Sequence, residues 1–272
     1  MADGKRARLR TSRYEELGEG SSTLVSIAMA AAMLALWWLA THLGWLRPLF
    51  QPRPESIWSA AAQALAGELD NNTLWVHIGW SLFRVASAFL LAAAIGIPVG
   101  LAMGVSRLAR GIFDPPIEFY RPLPPLAYLP LMIIWFGIGE TSKILLIFLA
   151  CFAPVALAAR AGVRSASREQ IHAALSMGAS RGQVLRHVIL PSALPDILVG
   201  LRIGMGVGWT TLVAAEMVAA TAGLGQMVLN ASNFLRTDVV IMGIILIGFF
   251  AYAFEIGMRR LERRLVPWKG KL

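Results

Sequence analysis

The sequence predicts an all-α membrane protein with about six transmembrane helices. Hydrophobic residues make up 57% of the chain and charged residues only 15%, whereas soluble domains are usually about 45–50% apolar. Several apolar runs approach the roughly 20 residues that a helix needs to cross about 30 Å of hydrocarbon. Basic residues also gather in alternate loops between these runs, as is typical of multi-pass proteins.

Six apolar segments are the predicted spans, near residues 23–44, 82–105, 123–138, 143–163, 197–218 and 239–257. The first follows a polar, basic stretch and is longer than the apolar core of a signal peptide, so we expect it to stay in the protein. The third is short and begins among prolines at 122, 124, 125 and 130. We therefore expect it to be bent, with its freed backbone groups satisfied inside the protein.

The basic residues predict the orientation. Nineteen of them lie before the first span, in the loops after the second and fourth spans, and after the sixth, and only four lie in the opposite set of loops. Because positive loops stay inside, both termini and the loop between the fourth and fifth spans should be cytoplasmic. The net charge of +9 thus indicates a lipid bilayer and not a nucleic acid as the partner.

The most informative loop reads EQIHAALSMGASRGQVLRHVILP over residues 169–191. Ala173 and Ala174 would leave a smooth surface for another backbone, and Gly178 can adopt the positive φ that ends a helix. Ser180, with Gln three residues later, forms a capping-box pattern that starts a second helix, and Pro191 should deny the next turn its hydrogen bond. The pattern predicts two short amphipathic helices that dock another protein.

Polar residues inside the fifth predicted span suggest a pathway through the membrane. Arg202 and Glu216 are fourteen positions apart, about 21 Å along a helix, so each needs its own partner or water. Trp209, Thr210 and Thr211 lie between them. We expect these five residues to line a polar pathway.

Two further readings concern the spans around this pathway. Gly204 and Gly208 could instead form a small-residue packing face and nothing more, and the sequence leaves this alternative open. Arg84, at the outer edge of the second span, is expected to extend its charge toward the membrane surface.

The chain carries no pattern typical of its own catalytic, cofactor or metal site. Its four histidines show no i, i+4 pair and no nearby acidic partner. The segment 137–143 is only faintly like a phosphate loop, because the Gly before and the Ser or Thr after its lysine are missing. Cys151 is the single cysteine and lies in an apolar segment, so a packing role is expected.

The loop's order of residues resembles the inner-membrane permeases of ABC importers, whose cytoplasmic loop reads E-A-A, three residues, G, nine residues, I-x-L-P. His172 and Val188 stand in place of the Glu and the Ile. The stretches YRPLPPLAYLPLMIIWFGIGETSKILLI (120–147) and GLRIGMGVGWTTLVAAEMVA (200–219) are similar to the nitrate, sulfonate and taurine branch of these permeases. Within that branch, the amino-acid sequence, including the VPWKGK tail, is most similar to taurine permeases.

The resemblance implies a type I ABC importer permease fold in the bacterial cytoplasmic membrane. It also implies a basic tail at 1–22, a transmembrane domain at 23–257 with a coupling loop at about 165–192, and a second basic tail at 258–272. The residues that it assigns to ATPase coupling are Ala173, Ala174, Gly178, Leu190 and Pro191.

The implied partners are a second permease copy, two ATPase subunits that bind the ATP, and a periplasmic or extracellular substrate-binding protein. The implied solute is a small anion, taurine or another sulfonate, that moves inward. Alternatives are nitrate or another small organic ligand of the same branch, or an ion-driven secondary transporter with Glu216 as its cation site. A membrane-embedded enzyme is disfavoured, because the spans supply no nucleophile with a base.

Overall fold

The computed structural model describes residues 23–45, 47, 49–67 and 72–267, and every regular element in these ranges is a helix. The predicted tail at 1–22 and the last five residues of the predicted C-terminal tail lie outside the described residues. The chain divides into two units, Met1–Pro54 and Glu55–Leu272. In the first unit, helix α1 (Thr23–His42) has 20 residues, which matches the first predicted span closely.

Within the described residues, the second unit holds ten numbered helices, one 3₁₀ segment (Val163–Ser165) and one π-helical segment. They are α2 (Pro54–Ala66), α3 (Leu74–Val105), α4 (Arg107–Tyr120), α5 (Pro125–Phe136), α6 (Glu140–Gly162), α7 (Arg168–Ser176), α8 (Arg181–Val184), the π segment (Leu185–Ile189), α9 (Leu190–Ala219), α10 (Leu224–Asn233) and α11 (Thr237–Leu265). Five stretches are long and apolar enough to cross a membrane: α1, α3, α6, the continuous Arg181–Ala219 stretch and α11.

The third predicted span, near residues 123–138, corresponds to the single helix α5, which has only 12 residues and reaches about 18 Å, so it is too short to cross the hydrocarbon alone. Two contacts, one near each end of α6, show the relative direction of α3 and α6. Arg84 bonds to Glu140 near the start of α6, while Gly104 faces Val163 just after its end. Because α3 and α6 are therefore parallel, residues 106–139 must run back between their ends, and α4 and α5 share this crossing.

Three helices, α3, α6 and α9, form the centre of the unit. Gly200 lies against Ala158, and an added Cβ on Gly208 would stand 2.8 Å from the Cys151 sulfur. The Cys151 thiol donates to the carbonyl of Gly204 at 3.2 Å. Small residues thus let these backbones approach closely. This agrees with the prediction that Gly204 and Gly208 form a small-residue packing face.

Helices α5, α10 and α11 pack around this centre. The Phe254 ring of α11 meets Phe89 of α3 edge to face, with centroids 5.2 Å apart, and the same end of α11 packs against the α9 side of the core. Helix α5 packs against α6 and α9. The open face of α9 carries the exposed residues Ile203, Gly206 and Thr210.

Three predicted boundaries differ from the structure by seven residues or more: the start of α3, the start of α9 at Leu190, and the end of α11. Helix α3 begins at Leu74, eight residues before the predicted start. The prediction missed this first part because Trp75, His77 and Ser81 lower the average hydropathy of the segment. Helix α11 continues to Leu265, so most of the described part of the predicted tail after 257 is helical. An ion pair between Arg259 and Glu255, at 2.8 Å with i, i+4 spacing, supports this extension.

Pro191 does not end a helix, contrary to the sequence prediction. The chain stays helical from Arg181 to Ala219, with the five-residue π segment just before the proline. A π turn gives the proline ring the room that an α turn would deny it. The hydroxyl of Ser192 donates to the Val188 carbonyl at 2.8 Å, which satisfies a group in the widened turn.

Candidate functional site

The coupling hairpin, which we define as residues 167–190, folds as two helices around a glycine turn. Gly178 has φ +84°, its N–H donates to Leu175, and the N–H of Ala179 donates back to Ala174 at 3.1 Å. This pair of bonds is the Schellman arrangement, which needs a left-handed residue after the helix. The predicted positive φ at Gly178 is confirmed.

Both helices of the hairpin begin with a complete capping box. Ser180 accepts a bond from the Gln183 amide at 3.3 Å, and the Gln183 side chain accepts from the Ser180 amide at 2.7 Å; this box was predicted. Ser167 and Gln170 form a second one. Bonds from its own amide and from Ser167 lower the pKa of the exposed Glu169 carboxyl, so a negative charge stays at the positive end of α7.

The predicted coupling residues fall into two groups. Ala173 and Gly178 are exposed and can touch a partner. Ala174 is instead buried, since it packs inside the hairpin in the same cluster as Val184, and Leu190 and Pro191 are half-buried at the start of α9. Ala174 therefore offers little surface of its own and holds the two helices together, although it also lines the groove between them.

A shallow groove of about 410 Å³ lies between the hairpin helices and is lined in part by Met177, Gly178, Gln183 and His187. Met177 beside it is 82% exposed. The sequence analysis missed Met177, because a single methionine in an amphipathic stretch resembles a core residue. Its exposure next to a left-handed glycine is the signal that only the structure supplies.

The first half of α9 is joined to α11 by ion pairs. Arg202 forms ion pairs with Glu255, with Nε 3.3 Å from one carboxylate oxygen, and with Glu262 at 3.4 Å. This confirms that Arg202 needs a partner of its own. Its charge is shared with two carboxylates, so it is not an isolated cation for an anionic solute.

A groove of about 600 Å³ runs between α9 and α11 beyond this ion pair; we call it the α9–α11 groove. Its lining includes Arg202, Gly206, Trp209, Thr210 and Glu255. Trp209 is 6% exposed, and its Nε1–H meets no hydrogen-bond acceptor among the described residues. Thr210 is exposed on the open face of α9.

The remaining two predicted pathway residues are buried in this structure. Thr211 is 4% exposed and donates to the Val207 carbonyl at 2.8 Å. Glu216 is fully buried, with its oxygens accepting from Ser81 at 2.8 Å and from the Gly225 amide at 2.8 Å. Both therefore hold the helix packing, and neither faces the groove.

Glu216 belongs to a buried charge cluster that the sequence analysis missed, made of Arg84, Glu140, Lys143 and Glu216. Arg84 contacts Glu216 at 2.8 Å and Glu140 at 2.6 Å, and Lys143 contacts Glu140 at 2.9 Å. Two positive and two negative charges balance, as buried charges must.

Arg84 is 1% exposed, so the expectation that it reaches the membrane surface is wrong. Its guanidinium also donates to the Ala222 carbonyl at 2.6 Å, and Lys143 donates to the Ala219 carbonyl at 3.2 Å. The cluster thereby fastens the turn after α9 to α3 and α6. Because five donors in a planar fork suit several acceptors at once, arginine can serve here where lysine could not.

Comparison with known proteins gives a consistent result. Residues 96–267 match the family model described as binding-protein-dependent transport system inner membrane component. The chain is 56% identical to the taurine transport system permease protein TauC of Escherichia coli over 91% of its length and 90% of that protein. It is 36% identical to the putative aliphatic sulfonates transport permease protein SsuC of Escherichia coli, over 88% of this chain and 90% of that one.

Solved structures resemble the chain in fold. A structure of the MetNI methionine ABC transporter in inward-facing conformations superposes with a TM-score of 0.63 over 71% of this chain and 97% of that one. The two sequences are 21% identical, so the comparison concerns the fold alone. It shows that the helices of this chain adopt the all-α fold of a type I ABC importer permease.

Proposed function

Because this chain belongs to the family of binding-protein-dependent transport system inner membrane components, we propose that it is the permease of an ATP-driven importer for taurine or a closely related small sulfonate. The observation that carries this proposal is the 56% identity with the taurine permease over nine-tenths of both chains. At this identity the whole membrane domain, and not only a shared motif, corresponds.

The proposed complex holds two copies of this chain, two ATPase subunits and an external binding protein, with both termini in the cytoplasm. The nineteen basic residues on one side of the predicted topology support that orientation. The exposed groove of the hairpin and Met177 provide the surface on which an ATPase would sit. ATP binding and hydrolysis belong to that partner.

The continuous helix from Arg181 to Ala219 supplies the mechanical link. Its 39 residues extend about 58 Å, so a displacement of the hairpin by the ATPases moves α9 as one rod. The open face of α9, which exposes Gly206 and Thr210, would line the pathway between the two copies. Closure of the ATPases would thus open the pathway toward the binding protein.

The rival reading as an ion-driven transporter rests on Glu216. That carboxylate already accepts bonds from Arg84, Ser81 and Gly225 in a fully buried position. A cation would have to displace Arg84 to bind there. The charge cluster therefore favours a structural role for Glu216, and the importer reading is the one that we develop.

The test is transport by the complete complex in lipid vesicles, with the binding protein and ATP on their proper sides. We expect taurine to stimulate ATP hydrolysis and to accumulate, ethanesulfonate to act more weakly, and nitrate to have no effect. Stimulation by nitrate alone would assign the chain to another member of the branch. Uptake that follows an ion gradient without ATP would overturn the importer assignment.

A further inference from the structure

The coupling hairpin carries more positive charge than its own fold uses. It contains one acidic residue, Glu169, and three arginines, Arg168, Arg181 and Arg186. Glu169 lies in the first turn of α7, where a negative charge stabilises the helix itself. All three arginines are exposed, and none forms an ion pair with a described residue. The hairpin therefore presents an excess of two positive charges to the partner that covers it.

Two of these arginines flank the groove between the hairpin helices. One wall of the groove includes Gln183 and Val184. Arg181 precedes Val184 by three residues, and Arg186 follows Gln183 by three. Because residues three apart on a helix are neighbours on its surface, both arginines are placed beside the groove lining. A partner that enters the groove would therefore meet both positive charges at its edge.

His187 adds a polar group of fixed orientation to the groove lining. Its Nδ1 lies 3.1 Å from the Gln183 carbonyl. A carbonyl oxygen can only accept a hydrogen bond, so Nδ1 carries the hydrogen and Nε2 remains available to a partner. A concave groove with an oriented imidazole fits a protruding protein side chain better than it fits the flat surface of a bilayer.

We propose that the coupling hairpin recognises its ATPase by charge, with Arg181 and Arg186 binding Asp or Glu carboxylates that the ATPase presents around the groove. This inference rests on the proposed function, because it gives the chemistry of a partner proposed there. Charge pairs at the edge of an interface mainly raise the rate of association and exclude wrong partners. An ATPase with basic residues at this place would be repelled, so the hairpin would select among related ATPases.

The first test is carbodiimide cross-linking of the complex with the ATPase that co-purifies with this chain. The hairpin contains no lysine, so Arg181→Lys or Arg186→Lys adds one amine and keeps the positive charge. The carbodiimide activates a carboxyl group, and the amine displaces the activating group as a urea to form an amide. We expect mass spectrometry to find an amide between position 181 or 186 and an Asp or Glu of the ATPase. The control is Arg107→Lys, because Arg107 is also an exposed first residue of a helix, and it should form no such amide.

The second test reverses the charges in the double variant Arg181→Glu/Arg186→Glu. An acidic side chain at position 181 lies in the first turn of α8, which the helix dipole favours, so the hairpin should stay folded. We expect the ATPase to associate about tenfold more slowly with this chain in lipid nanodiscs at about 0.1 M salt, and within about twofold of the original rate at about 1 M, where charges are screened within about 3 Å. The control, Arg107→Glu/Arg260→Glu, reverses two exposed charges outside the hairpin and should change the rate less than about twofold.

The outcomes separate this inference from the proposed function. If the unaltered chain binds no ATPase and shows no taurine-stimulated hydrolysis, the proposed function itself fails. If it binds the ATPase but no amide forms at either hairpin position, or charge reversal leaves the rate unchanged, recognition by charge is wrong. Equal slowing by the control variant would also overturn it. Slowing that occurs in nanodiscs of phosphatidylglycerol but not of phosphatidylcholine would assign the arginines to the bilayer and overturn it too.

Discussion

At the scale of single residues, local turn chemistry is what the sequence shows best. Gly178 and the Ser180–Gln183 capping box depend on neighbours within five positions, and the structure has both. The partners of Glu216 could not be predicted in this way, because Ser81 and Arg84 lie more than 130 positions earlier. The position of Glu216 inside an apolar span indicates that its charge needs a partner. Only the three-dimensional fold determines which residues lie beside it.

Gly178→Val should uncouple the hairpin from transport. A β-branched residue at φ +84° is strained by roughly 1–3 kcal/mol, so the Schellman turn should distort and move the exposed end of α7. We expect taurine-stimulated ATP hydrolysis to fall at least about tenfold while the amount of permease in the membrane stays similar. Gly182→Val is the control, since Gly182 has open space and no positive φ; equal activity of both variants would contradict the turn's role.

Glu216→Gln should destabilise the protein more than Glu140→Gln does. Glu216 is fully buried, whereas the Glu140 side chain is 35% exposed and can exchange its partners for water. Removing one charge of a fully buried pair costs about 3–5 kcal/mol, and we expect a smaller cost at Glu140 because water reaches part of its side chain. The measurement is the thermal unfolding midpoint of the detergent-solubilised complex; a larger loss for Glu140→Gln would mean that the cluster is not held by Glu216.

At the scale of elements, apolar runs predicted most of the long helices, and proline placement explains the main differences. A window average could not show that residues 107–136 form two helices, α4 and α5, which share one crossing. It also could not show that the chain passes Pro191 without a break. Both depend on how neighbouring helices and widened turns satisfy the freed backbone groups.

The packing of α9 against α6 should fail when Gly204 gains a side chain. An added Cβ would stand 3.1 Å from the Cys151 carbonyl oxygen and 3.2 Å from Val155, so Gly204→Leu should cost about 1–3 kcal/mol and reduce assembly with the ATPase. Gly206→Leu, two positions away in open space, should assemble normally even if it slows transport. Co-purification of the ATPase measures the difference, and equal yields would exclude close packing at Gly204.

At the scale of the whole molecule, composition and basic loops predicted the membrane class and an orientation, while the α9–α11 groove emerged only from the packing of these two helices. Trp209 and Thr210 were predicted as pathway residues and lie on this groove. Thr211 and Glu216 were grouped with them because a linear pattern does not tell which side of a helix is covered. Position relative to the groove separates the four, since Trp209 and Thr210 line it and Thr211 and Glu216 do not.

The orientation gives a prediction of its own. A reporter that works only in the cytoplasm should be active when inserted near Gly182 or fused after Leu272, and inactive after Asn72. The reason is the concentration of basic residues on the side of the hairpin. An outside position for Gly182 would remove the hairpin from the reach of any ATPase.

The most direct test of the central claim is photo-cross-linking from the exposed end of the hairpin. In the Cys151→Ala chain, a photoreactive maleimide is attached at Met177→Cys, or at Ile138→Cys as a control. Met177 and Ile138 are similarly exposed, at 82% and 77%, but Ile138 lies next to the start of α6, at the opposite end of the fold from Val163. We expect position 177 alone to form a covalent adduct with the ATPase. If a complex with taurine-stimulated hydrolysis gave no adduct at 177, or gave one at 138, the hairpin would not be the coupling surface.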